Sequence, residues 1–196
     1  MKKKTFILIL AICVAGIIGS WLFGQYNALV VLQENVQNAW GHVENQYQRR
    51  SDLIPNLVSV VKGYAAHEQS TFEAVADARA NATQTKLDVT KATPEQLAAF
   101  QAAQGELTQA LGRLMAVAEN YPELKASENF RDLQKQLEST ENRVTYARDL
   151  FNRTAKDYNA AIRRFPTNII ASMFGFERMA YFQADEGADK AVQIEL

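Results

Sequence analysis

The 196-residue chain is long enough for one globular domain with one substantial core, together with a separate apolar segment. Three of its 21 basic residues precede that segment, so the rest of the chain carries 18 basic and 22 acidic side chains. This acidic balance argues against nucleic acid as the main ligand. The only cysteine, Cys13, lies inside the apolar segment, which excludes an intrachain disulfide framework and a Cys-based zinc site.

The apolar segment is Thr5–Phe23, which contains 19 residues and no charge. As a helix it would span roughly 28 Å, close to the thickness of a bilayer core. Lysines occupy positions 2, 3 and 4, and the next basic residue is Arg49. The positive-inside rule therefore predicts a cytoplasmic N-terminus (1–4), a transmembrane anchor (5–26) and an extracytoplasmic remainder.

Two alternatives to an uncleaved anchor stay open. A cleaved signal peptide needs a shorter apolar core and a small-x-small cleavage site, whereas apolar residues continue here through Trp21, Leu22 and Phe23. A lipoprotein signal would end at Cys13, but Ile12 fills a position where a small residue is expected. The pattern favours the anchor.

The region 27–182 is predicted to be an all-α bundle, because four stretches show helical periodicity and none shows a sustained strand pattern. The first stripe of apolar positions runs from Val36 to Tyr64 with spacings of three and four residues. It keeps its phase across Pro55, where we expect either a kink near Ser51 or the start of a new helix. The segment 63–67 is the other candidate break.

The second and third helices are separated by a polar connection. Helical spacing covers residues 72–79 and fades into the polar stretch 81–93. Thr93 then has the features of an N-cap, with a proline after it and Gln96 as a capping-box partner. The third helix is predicted to end near Asn120.

The fourth and longest helix begins near Ser127. Its stripe comprises Phe130, Leu133, Leu137, Thr140, Val144, Ala147, Phe151, Thr154, Tyr158, Ile162 and Phe165. This heptad-like spacing predicts crossing angles of about 20° and an antiparallel bundle of about four long helices, with a dimeric coiled coil as the alternative. Because four antiparallel helices that start at the membrane also end there, the fourth helix should return toward the bilayer. The residues 183–196 are predicted to be a flexible tail.

An aromatic cluster follows the fourth helix. It comprises Phe165, Phe174, Phe176, Tyr181 and Phe182. We expect this cluster near the membrane, where it would either lie on the lipid surface or cap the end of the bundle.

A polar cluster interrupts the first stripe near its proline. It comprises Arg49, Arg50, Asp52 and Asn56. Arg50 occupies an apolar position of the stripe, so it needs a nearby carboxylate such as Asp52, Glu141 or Asp149, unless a kink turns it to solvent. The cluster is either a network that fixes helix register or a groove that recognises a partner.

Several segments together resemble the signature regions of the LemA family. They are Trp40–Val58, Gly63–Glu68, Glu119–Leu124 and Tyr158–Pro166, in the family's order. The resemblance implies a bacterial membrane protein with one N-terminal span and a helical bundle. It implies no enzymatic chemistry and no cofactor, so no residue is assigned a catalytic role.

The sequence likewise contains no reactive motif that would indicate an enzyme. The two histidines, His42 and His67, are far apart, and the sequence contains no HExxH motif, phosphate loop or nucleophile elbow. We therefore predict no enzyme activity, no cofactor and no metal. The expected protein is a scaffold or interaction module in the bacterial cell membrane (the inner membrane in a Gram-negative cell) that binds an unidentified envelope protein. Alternatives are a self-assembling or lipid-interacting bundle, including a homo-oligomer, and an unrecognised envelope enzyme.

Overall fold

A computed structural model of the chain describes residues 2–183, and this part of the chain is helical with no strand. The helices are α1 (Lys2–Tyr64), α2 (Gln69–Gln84), α3 (Pro94–Glu119), α4 (Pro122–Ala126), α5 (Glu128–Arg163) and α6 (Thr167–Phe174). The predicted all-α class is confirmed. Four of the helices are long, whereas α4 and α6 are short additions that the periodicity did not predict.

The helix α1 extends without interruption from the apolar segment into the bundle. Residues 3–18 are all exposed, and the first fully buried side chain is Leu29. Among the described residues, α1 is the one helix long and apolar enough to cross a membrane, and the mean hydropathy of its most apolar 18 residues is 2.6. No helix break separates the predicted anchor (5–26) from the predicted bundle (27–182).

The bundle pairs α1 with α5 and α2 with α3, and its core has two parts. The core nearer the apolar segment surrounds Trp40 and joins α1, α5, the start of α3, α6 and the chain after α6. The far core surrounds Leu114 and joins the end of α1, α2, the rest of α3, α4 and the start of α5. The apolar faces of four helices are thereby buried against one another.

The first helix does not end or restart at Pro55. It continues to Tyr64, and the break lies in the segment that follows, Ala65–Glu68. The expectation of a new helix beginning at Pro55 is therefore wrong, and the alternative break near residues 63–67 is the correct one. A proline removes the backbone donor to the carbonyl four residues earlier. Here the Ser51 carbonyl accepts a hydrogen bond from Arg79 Nε of α2 at 3.0 Å instead.

Two local predictions are confirmed at the atomic level. The Thr93 hydroxyl accepts a hydrogen bond from the Gln96 backbone N–H, and the Gln96 side chain accepts one from the Thr93 N–H, which forms the capping box. In α5 the predicted stripe is buried or half-buried along its length except at its last member, Phe165, which is exposed. Of the predicted tail, residues 184–196 lie outside the described part of the chain.

Candidate functional site

The polar cluster of the first stripe contains one buried cation, Arg50, whose side chain is 1% exposed. Its Nη1 donates to Glu141 Oε2 at 3.0 Å and to Thr108 Oγ1 at 2.9 Å. Its Nη2 donates to the side-chain oxygen of Gln104 at 2.6 Å and to the Gln104 carbonyl at 3.2 Å. The guanidinium also lies over the Tyr47 ring, 5.1 Å from its centre. These bonds satisfy the two terminal nitrogens of the guanidinium and so favour its burial, whereas the buried Nε has no hydrogen-bond partner among the described residues.

This network connects the four long helices. Arg50 belongs to α1, Gln104 and Thr108 to α3, and Glu141 to α5. The Gln104 amide nitrogen donates to the Ala82 carbonyl in the last turn of α2 at 3.1 Å. Directional hydrogen bonds therefore join the four long helices, in addition to their apolar packing.

The remaining members of the predicted cluster do not join the network. The spacing of Arg49, Asp52 and Asn56 places them on one side of α1, where all three are exposed. Asp52 accepts a hydrogen bond from Gln48 Nε2 at 2.7 Å. The continuous α-helix directs Arg50 inward and these three residues outward, so their part in an interaction surface or a register network stays a prediction.

A groove lies beside the network, between α1, the end of α2 and α3. Its volume is about 290 Å³. The groove is lined by Glu44, Tyr47, Gln48, Ser51, Ala82, Thr83, Thr85, Lys86, Phe100, Gln104 and Leu107. We call it the Ser51 groove, after one of its lining residues. The Ser51 hydroxyl is buried and has no hydrogen-bond partner among the described residues. A buried hydroxyl without a partner is unfavourable, and a ligand that reached it would relieve that cost.

The charged residues of the groove are at its rim. Glu44 and Lys86 are both exposed, whereas Tyr47 and Phe100 are buried and pack edge to face, with ring centres 5.4 Å apart. The groove is thus lined by the edges of two largely buried aromatic rings and carries its charges at the rim.

Two comparisons with known proteins address the identity of the chain. The model of the LemA family matches residues 39–196, a range that includes the Arg50 network and the Ser51 groove. The chain belongs to the LemA family. The resemblance of segments such as Trp40–Val58 to that family is confirmed.

Similar proteins include magnetosome proteins and a protein named LemA. Magnetosome protein MamQ of Magnetospirillum gryphiswaldense is 31% identical over 204 residues, which cover 94% of this chain and 75% of the relative. Magnetosome protein MamQ 2 of Paramagnetospirillum magneticum is 31% identical over 188 residues, or 87% of this chain and 69% of the relative. Protein LemA of Metamycoplasma hominis is 26% identical over 184 residues, or 94% of this chain and 80% of the relative. None of these names denotes an enzyme.

The predicted aromatic cluster is divided in this LemA-family structure. Phe165 and Phe174 are exposed, Tyr181 is 37% exposed, and Phe176 is half-buried. Phe182 is instead buried in the core, where its ring stacks on Trp40 with centres 5.9 Å apart. The chain after α6 therefore turns back along the bundle and buries Phe182 apart from the exposed members of the cluster. The position of the cluster relative to a membrane stays a prediction.

That returning segment, residues 176–183, is held by two asparagines of α5 that the sequence analysis missed. Asn159 donates to the Met179 carbonyl at 2.8 Å and accepts from its N–H at 2.9 Å. Asn152 makes the same pair of bonds with Phe182, at 3.0 and 2.9 Å. We call residues 176–183 the C-terminal strap. Two asparagines seven residues apart beside the buried stripe of α5 are the sequence signal that could have revealed it.

Proposed function

We propose that this LemA-family chain is a membrane-anchored, non-enzymatic interaction module that binds an envelope protein in the Ser51 groove. The single observation that carries the proposal is the buried, unpartnered Ser51 hydroxyl on the wall of an open groove with aromatic side chains. A partner segment that inserts an apolar side chain and a hydrogen-bonding group would bury the aromatic surface and satisfy the hydroxyl.

The continuity of α1 supports a scaffold role. Because α1 is one helix from Lys2 to Tyr64, a membrane-embedded apolar segment would hold the bundle directly, without a flexible linker. Ser51 lies 25 positions beyond Tyr26, or about 38 Å along the helix axis. The groove would then be presented at a set height outside the membrane, with the basic N-terminus in the cytoplasm.

The Arg50 network supports the same role. A binding surface made from three helices keeps its shape only if the helices hold their positions. Arg50 and Gln104 provide such fixation next to the groove, and Gln104 also lines it. Pre-organisation of this kind lowers the entropy lost when a partner binds.

Site-specific photocrosslinking in cells tests the proposal. A photoreactive phenylalanine analogue at Gln48, an exposed residue of the groove, should give covalent adducts with a distinct envelope protein. The same analogue at Lys135, an exposed residue of α5, is the matched control and should give few. Equal adduct yields at the two positions would contradict a binding role for the groove. Adducts of the chain with itself alone would favour the homo-oligomer instead.

A further inference from the structure

The solvent-facing side of α6 is divided into an apolar row and a polar row. Ile169 and Met173, four residues apart, form the apolar row, and Met173 is 73% exposed. Asn168 and Ser172, also four residues apart, form an exposed polar row beside it. Phe165, immediately before the helix, is 82% exposed. Large apolar side chains exposed together on one face indicate a surface that contacts something other than water.

The helix α6 crosses α1 instead of running beside it. The Thr167 hydroxyl at one end of α6 donates to Gln25 Oε1 at 3.0 Å, and the Phe174 ring at the other end lies 4.9 Å from the Tyr26 ring. Thr167 and Phe174 are about 10 Å apart along α6, whereas Gln25 and Tyr26 differ by about 1.5 Å along α1. The two ends of α6 therefore contact α1 at nearly the same position along the axis of α1. This arrangement means that α6 crosses α1 at a large angle.

The level of that crossing coincides with the end of the apolar segment. Gln25 and Tyr26 directly follow Phe23, the last residue of the uncharged stretch. In a membrane-anchored chain this is the height of the lipid headgroups, where amphipathic aromatic residues such as Tyr26 are favoured. A helix that crosses α1 there would lie parallel to the membrane plane.

Basic side chains stand at both ends of α6. Arg163 and Arg164 precede it, Arg178 follows it, and all three are exposed. Arg163 and Arg178 line one open groove of about 390 Å³ with the polar row of α6. One acidic residue, Glu177, also lines this groove. The excess of guanidinium groups next to the polar row matches the phosphates of anionic lipids.

We infer that α6 is an interfacial helix whose apolar row lies in the outer surface of the bilayer, with Arg163 and Arg178 at the phosphates of anionic lipids. The inference rests on the proposed membrane anchoring of α1. It adds a second membrane contact beside the first, which would fix the tilt and rotation of the bundle. The occupant of the apolar row is then lipid, because Ile169 and Met173 are exposed on a helix that contacts α1 at Gln25 and Tyr26, where the apolar segment ends.

Electron paramagnetic resonance on the full chain in liposomes tests the inference. In a Cys13→Ala background, a nitroxide is attached at Met173→Cys, on the exposed row. Matched labels at Ile12→Cys and Ser139→Cys report the apolar segment and an exposed site on α5. In liposomes of phosphatidylcholine and phosphatidylglycerol, collision rates are measured with oxygen, which partitions into lipid, and with a water-soluble nickel chelate. At Met173 the ratio of the two rates should be several-fold higher than at Ser139.

The outcomes separate the two proposals. A lipid-exposed label at Ile12 with a water-exposed label at Met173 would overturn the interfacial helix and leave the anchor intact. A water-exposed label at Ile12 would overturn both. Strong spin–spin coupling between nitroxides attached at Met173→Cys, with neither oxygen nor the nickel chelate able to reach them, would show that the apolar row packs against a second copy of the chain. That result would overturn the inference. If it holds, Arg163→Gln combined with Arg178→Gln should lower the rate ratio at Met173 in the anionic liposomes and leave it unchanged in pure phosphatidylcholine.

Discussion

Replacing Gln104 with leucine should destabilise the bundle more than neutralising the carboxylate that pairs with Arg50. Gln104 is buried, and its side-chain oxygen accepts from Arg50 at 2.6 Å while its nitrogen donates to the Ala82 carbonyl at 3.1 Å. Loss of a hydrogen bond to a buried cation costs about 1.5–3 kcal/mol, and loss of a neutral one about 1 kcal/mol. Leucine has a similar volume and leaves no large cavity. The expected loss of unfolding free energy is therefore about 3 kcal/mol.

The matched change is Glu141→Gln. The Glu141 side chain is 46% exposed, so water can replace part of its interaction with Arg50, and the glutamine keeps an oxygen that accepts a hydrogen bond. Ion pairs with an exposed partner contribute little, so we expect a loss below about 1 kcal/mol. The neutral amide should thus matter more than the opposite charge.

Urea unfolding of the full chain in detergent micelles measures both changes. Trp40 is buried in the core, and its fluorescence in a Trp21→Phe background reports the bundle. In an Arg50→Met background the penalty of Gln104→Leu should shrink to about 1 kcal/mol, because no buried cation is left without an acceptor. Losses of equal size for Gln104→Leu and Glu141→Gln would refute the reasoning.

Three further changes have defined outcomes. Ser51→Ala removes an unpartnered buried hydroxyl, so it should stabilise the bundle by about 1 kcal/mol and reduce the yield of partner adducts. The control Ser59→Ala, at an exposed position of the same helix, should change neither the stability nor the adduct yield. Asn152→Ala removes both of its bonds to Phe182 of the C-terminal strap, so the emission of Trp40, on which Phe182 stacks, should shift to longer wavelength; an unchanged spectrum would contradict the packing. Burial, and secondarily the charge of Glu177, raises the pKa of Tyr158 from the ordinary value of 10.0 for a tyrosine to about 12. The folded state then keeps a proton that the unfolded state loses, so stability should fall between pH 10 and 12 by up to about 1.4 kcal/mol per pH unit, and Tyr158→Phe should remove this dependence.

The regular parts of the fold were predictable because their determinants are local. The stripe of α5 and the capping box at Thr93 follow from spacings of three and four residues, which one helix imposes by itself. The path through Pro55 was not predictable in the same way. The donor that replaces its missing N–H is Arg79, which is 28 residues from Ser51 in sequence. No pattern around the proline contains that information.

The candidate site was likewise predictable only where the signal in the sequence is local. The polar residue in an apolar stripe correctly singled out Arg50, and Glu141 was one of three expected partners. The neutral partners Gln104 and Thr108 were missed, since a polar side chain on an alanine-rich helix gives no sign of burial. The inward position of Phe182 was also missed, because the C-terminal strap is extended and lacks helical periodicity.

Blocking the Ser51 groove tests the proposed function most directly. Thr83, an exposed residue that lines the groove, is replaced with tryptophan, and Thr145, an exposed threonine of α5, receives the same change as a control. Within residues 2–183 both hydroxyls bond only to carbonyls of their own helices, so neither replacement should unfold the bundle. The yield of adducts from a crosslinker at Gln48 should fall strongly with Thr83→Trp and persist with Thr145→Trp. An undiminished yield with Thr83→Trp would contradict binding in the groove.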